Sequence, residues 1–136
     1  HGVGAAAREG ARGRWDHPER AGTLMMPLCG EPRLAFCYGH PDRTGQFERY
    51  VDDRLGEAAT LCRSEQLLRD GRFGLGEPHR RLRDRIGHYA LLMKENYIIT
   101  GELPGERQLS HIGVHGGLSP DEMLVPLISL DCVDDD

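Results

Sequence analysis

Apolar positions along the chain fall into short clusters separated by glycine, proline and charged residues, never into long runs. Residues 34–38 (Leu-Ala-Phe-Cys-Tyr) form an unbroken apolar stretch closed by Gly39-His40-Pro41-Asp42, the pattern of a short buried strand. Within residues 46–55, Phe47, Tyr50, Val51 and Leu55 recur at helical spacing, which predicts an amphipathic helix stopped by Gly56. Residues 58–62 predict a second strand. Ser64, ahead of Glu65, Leu67 and Leu68, predicts an N-cap opening a second helix that ends at Gly71. A strand, helix, strand, helix order builds a small sheet covered by helices on at least one face. Residues 86–93 predict a further strand, with residues 96–100 as its hairpin partner across Lys94-Glu95.

The flanks read differently. Residues 1–22 are rich in glycine and alanine, with Trp15 the single aromatic, and predict a loop. Apolar residues 24–28 lead into the turn formers Gly30-Glu31-Pro32, and residues 101–108 predict a linker. Ser119 predicts the N-cap of a short helix with Pro120 at its first position and Glu122 three residues on. Asp121 and Glu122 then read as first-turn acids favoured by the helix dipole. The acidic residues 131–136 predict a frayed tail.

With 136 residues, 38% of them hydrophobic, the chain has enough apolar material for one modest core. Seventeen basic against 22 acidic residues give a net charge of −5, which removes nucleic acid and anionic membrane as default partners. No apolar run approaches the roughly 18 residues a membrane helix needs, so the chain reads as a soluble, cytoplasmic protein with no membrane association. Cys29, Cys37, Cys62 and Cys132 lie in or beside apolar segments with no C-x-x-C pair, and read as reduced thiols.

Candidate chemistry concentrates near the C-terminal end, where His111 and His115 stand among Gly113, Gly116 and Gly117. The glycines disfavour a helix there and allow close approach of backbone or ligand to a histidine. On the residues alone, His115 is either a loop histidine or a ligand. His17, His40 and His79 sit beside proline in loop-like sequence and read as solvated, and His88 as a packed or edge histidine. Arg80, Arg81, Arg83 and Arg85 read as a solvated face, with Asp84-Arg85 as an internal ion pair.

The run His115-Gly116-Gly117-Leu118-Ser119-Pro120-Asp121-Glu122-Met123-Leu124-Val125-Pro126 resembles the C-terminal H-G-G-x-[ST]-x-x-E-x-x-V-P signature of the alkaline phosphatase superfamily. The resemblance is to the branch holding type I phosphodiesterases, nucleotide pyrophosphatases, phosphonoacetate hydrolases and PglZ-type proteins. Gly30-Glu31-Pro32-Arg33 resembles the start of that branch's inserted subdomain, and Arg83-Asp84-Arg85-Ile86-Gly87 resembles its end. His1-Gly2 is similar to the close of an [ST]-x-D-H-G motif.

The resemblance implies an α/β fold: the C-terminal fragment of an alkaline-phosphatase-like core carrying a small α+β insert, built from the βαβα unit plus the hairpin. Residues 1–29 and 108–136 would belong to the core and residues 30–107 to the insert. His115 is implied as a ligand of one divalent ion and His1 as a ligand of a second, with Zn²⁺ expected ahead of Mn²⁺. The implied activity is two-metal hydrolysis of a phosphodiester or phosphoanhydride in a small phosphorylated substrate such as a nucleotide. The nucleophile and remaining ligands would lie in a missing N-terminal part of the same fold. His111 reads as a supporting donor or as a strand residue facing a neighbour. The alternative is a non-catalytic, PglZ-like interaction or regulatory module.

Overall fold

The computed structural model describes residues 12–14, 22–100 and 113–130. The elements in chain order are β1 (Arg12–Arg14), β2 (Cys29–Glu31), β3 (Leu34–Cys37), a 3-10 turn (Pro41–Arg43), α1 (Thr44–Leu55), β4 (Ala59–Arg63), α2 (Ser64–Arg69), α3 (Leu82–Arg85), β5 (Tyr89–Met93), β6 (Ile98–Thr100) and α4 (Pro120–Met123). The mixture is α/β, and its main feature is a four-stranded antiparallel sheet in the order β2-β3-β5-β4.

Strand β5 is central, and its sequence explains why. Tyr-Ala-Leu-Leu-Met offers apolar side chains to both faces, and a strand covered on both faces needs that composition. β3 pairs along one edge, Cys37 opposite Tyr89 and Leu34 opposite Leu92. β4 pairs along the other, Arg63 opposite Tyr89 and Ala59 opposite Met93. Both neighbours run antiparallel to β5 and therefore parallel to each other. The β3-α1-β4 crossover is thus a split unit with β5 inserted between its strands.

Helix α1 covers one face of this sheet, burying Phe47 and Val51 against Ala35, Cys37, Tyr89 and Leu91. The rings of Phe47 and Tyr89 stand 5.3 Å apart. The Tyr89 hydroxyl donates to Glu48 Oε1 at 2.8 Å, anchoring the helix to the central strand. Burial, aided by that bond, pushes the Tyr89 phenol up to about 12. On the opposite face, Phe73 from the segment after α2 lies 6.3 Å from Phe36. Leu24 also belongs to the core, and the β2-β3 hairpin pairs Cys29 with Phe36 across a Pro32-Arg33 turn.

Four sequence expectations are corrected. The hairpin between β5 and residues 96–100 does not form, because β3 and β4 already occupy both edges of β5. The chain instead turns at Lys94, with the Tyr97 N–H donating to its carbonyl at 3.0 Å, and β6 pairs in parallel with β1. That pairing also places a strand at Arg12–Arg14, inside the segment expected to be a loop; Arg-Gly-Arg carries no strand pattern, and the pairing is supplied by backbone groups. Ser64 is not a cap but the buried first residue of α2, its Oγ donating to the Ile86 carbonyl at 2.7 Å. Asp84 and Arg85 make no ion pair among the described residues; Asp84 instead offers its backbone carbonyl to the Tyr38 hydroxyl at 2.8 Å.

The predicted end of α2 at Gly71 holds. Gly71 takes φ +67°, its N–H donates to Leu68, and the Arg72 N–H reaches back to Leu67, the two bonds of a Schellman motif. Gly87 is more constrained: at φ +60°, a Cβ would stand 2.6 Å from the Cys37 carbonyl oxygen. That close approach lets the His88 N–H donate to the same carbonyl at 2.9 Å just ahead of β5. The Cys132 position lies outside the described residues; of the other cysteines, Cys37 is buried and Cys29 and Cys62 half-buried, all three free. Among the described residues no helix is long and apolar enough to cross a membrane.

These two glycines separate conformation from contact. Gly71→Ala, with nothing within 4 Å of its Cβ, is expected to cost about 1 kcal/mol for the left-handed backbone alone. Gly87→Ala adds a clash with backbone and is expected to cost at least about 2–3 kcal/mol. Urea denaturation of both variants checks this, and equal losses would refute the role given to the Cys37 contact.

Candidate metal-binding loop

Pro120 at the first helical position and Ser119 in extended conformation start α4 where the sequence places it, and Ser119 with Glu122 forms a capping box. The Glu122 side chain does more than cap. Its Oε1 accepts from the Gly117 N–H at 3.0 Å, and its Oε2 accepts from Ser119 Oγ at 2.7 Å and from the Ser119 N–H at 3.4 Å. From across the molecule, Arg33 adds Nε to Oε1 at 3.1 Å and Nη2 to Oε2 at 2.8 Å, a two-pronged ion pair.

Arg33 is 4% exposed and sits in the β2-β3 turn. Its remaining donor, Nη1, is satisfied by the Tyr97 carbonyl at 2.5 Å and the Lys94 carbonyl at 3.4 Å. The guanidinium therefore joins three chain segments. Its bonds, with those from Ser119 and Gly117, hold the Glu122 carboxyl at about 2. Asp121 stays exposed, as a first-turn acid would; Glu122, read the same way from sequence, is instead the half-buried partner of a residue 89 positions away.

This carboxylate shapes the loop that presents His115. A Cβ on Gly117 would run into the Glu122 carboxylate, and Gly116, at φ +96°, would bring one to 3.2 Å from Glu31 Cβ. Gly116 thus suits its left-handed backbone and its packing on the hairpin, and Gly117 suits the close approach of the clamped Glu122 carboxylate, whatever the loop binds. His115 itself is exposed and has no hydrogen-bond or ion-pair partner among the described residues, leaving its imidazole available to a ligand.

No family model, curated protein or solved structure matches this chain. The site is therefore defined by its own geometry. His1 and His111 lie outside the described residues, as does His17. Among the described residues no three His, Cys, Asp or Glu side chains converge. Among the described residues His115 is therefore a single exposed donor, not part of a cluster. The other described histidines serve locally: His79 Nδ1 accepts the Arg81 N–H at 3.2 Å, the His40 N–H donates to the Thr23 carbonyl at 2.9 Å, and His88 stands edge-on to Tyr38 at 6.3 Å. His88 lies just before β5 and is exposed. The arginines of residues 80–85 are exposed, with one long contact from Arg83 to Glu65 at 3.4 Å.

The Arg33–Glu122 pair sets an acid limit. Because the folded Glu122 titrates near 2 and an unfolded glutamate near 4.5, its stabilisation is complete above 4.5 and lost as pH falls from 4.5 through 2. Glu122→Gln is expected to lower stability at pH 7 by about 2–3 kcal/mol and to flatten the stability profile across that window. Denaturation midpoints from pH 7 to pH 2 measure both effects, and an unchanged acid slope would remove Glu122 as its source.

Proposed function

We propose that these residues are the C-terminal part of a metal-dependent phosphoesterase of the alkaline phosphatase superfamily. Residues 1–29 and 108–136 belong to its α/β core and residues 30–107 to its insert. The observation that carries this reading is the segment after α4. Leu124, Val125, Leu127, Ile128 and Leu130 are 77–91% exposed, an apolar run that nothing covers among the described residues. Such a run is what a strand buried between helix layers in a larger sheet requires. It lies one short helix beyond the loop in which His115 has no partner among the described residues, so an exposed donor and an exposed apolar run stand close together in the chain.

On this reading His115 holds one divalent ion, Zn²⁺ ahead of Mn²⁺, and His1 a second, through neutral imidazole nitrogens. Such ions supply charge neutralisation at the phosphoryl oxygens and acidify the attacking group. The substrate is a small phosphodiester or phosphoanhydride, such as a nucleotide. The nucleophile lies upstream of these residues.

His115→Ala in the full-length protein is expected to lower bound Zn²⁺ and hydrolysis of a p-nitrophenyl phosphodiester together, activity by at least about 100-fold. Elemental analysis and a chromogenic assay measure the two. Unchanged metal content would remove His115 from the site. Robust turnover by the 136 residues alone would refute the upstream nucleophile.

A further inference from the structure

The geometry points to Arg33 and Glu122 as positioning residues for His115, making the placement of a metal ligand depend on the small sheet. The inference deepens the proposed function and rests on it for the metal, but its structural half stands alone. Glu122 is gripped by two separate segments. Arg33 holds both carboxylate oxygens from the hairpin turn, while the Gly117 N–H, two residues beyond His115, donates to Oε1 at 3.0 Å. Gly116 packs on Glu31 of the same hairpin, so both residues after His115 are fixed by β2 and its turn. Arg33 is in turn fixed by the Tyr97 and Lys94 carbonyls in the turn between β5 and β6. No side chain in this relay touches the imidazole. It acts on His115 through the backbone of the loop, as supporting groups around a metal commonly do when they set ligand orientation.

Two readouts on the full-length protein test this, each against Val51→Ala, a core variant on α1 that takes no part in the clamp and controls for lost stability. Hydrogen exchange of the buried Gly117 amide, measured without metal, is expected to accelerate about tenfold or more in Arg33→Met and not in Val51→Ala. Zn²⁺ affinity, read by competition with a chromogenic chelator, is expected to weaken about tenfold or more in Arg33→Met and to stay within about twofold in Val51→Ala. Arg33→Lys, which keeps the charge without the two-pronged grip, is expected to fall between wild type and Arg33→Met, and it serves alone should Arg33→Met not fold. Unaltered Gly117 exchange in both arginine variants, or equal Zn²⁺ loss in Val51→Ala, would overturn the inference. Unaltered Zn²⁺ affinity in the arginine variants, with Zn²⁺ lost in His115→Ala, would overturn it while leaving the proposed function standing. Zn²⁺ retained by His115→Ala would overturn the proposed function instead, and the Gly117 exchange would still decide whether the clamp orders the loop.

Discussion

A single buried guanidinium ties the described parts of this chain together. Arg33 leaves water almost entirely, which is tolerable only because the donors it buries meet acceptors: two carboxylate oxygens of Glu122 and the carbonyls of Tyr97 and Lys94. Those acceptors come from the turn between β5 and β6 and from α4; the first is also tied to the β2-β3 turn by backbone bonds from Met93 to Arg33 and from Ile99 to Pro32, whereas α4 is held there by the ion pair. Removing either partner would strand a buried charge, so the pair fixes geometry more firmly than its net contribution to stability suggests.

The second constraint is the central position of β5. Once β3 and β4 have taken its two edges, the chain cannot fold back beside it, and Ile98–Thr100 must find a partner elsewhere. The turn at residues 94–97 that replaces the hairpin also delivers two of the carbonyls Arg33 uses. Sheet topology and the clamp are therefore linked. Outside this sheet, His115 and the apolar run of residues 124–130 stay exposed among the described residues.

Much of the fold was legible from local pattern. Phe47 and Val51 at helical spacing, the apolar 34–38 run, the glycine end of α2 and the Ser119-Pro120 start of α4 each express a rule that acts over a few residues. Less of the site was legible. The spacing of Ser119 and Glu122 announced a capped helix and hid the ion pair, since the local half of Glu122's bonding already satisfied the pattern. Glycines beside His115 read as room for a ligand, whereas Gly116 and Gly117 suit close contacts with Glu31 and Glu122. Ser64 misled in the same way: a small hydroxyl ahead of a helix suggests a cap, but its hydroxyl serves the Ile86 carbonyl instead.

The sequence by itself determined that residues 34–37, 59–63 and 89–93 are extended and residues 44–55 helical, where α2 ends and α4 begins, and which histidine stands in a glycine-rich loop. Those properties follow from backbone preferences and from the spacing of apolar side chains along a few turns. Only the tertiary structure decided that β5 lies between β3 and β4, that β6 joins β1, and that Arg33 meets Glu122 across 89 positions. The physical reason is that strand order and buried ion pairs are settled by competition among distant segments for the same edges and acceptors. That competition leaves no periodic mark along the chain.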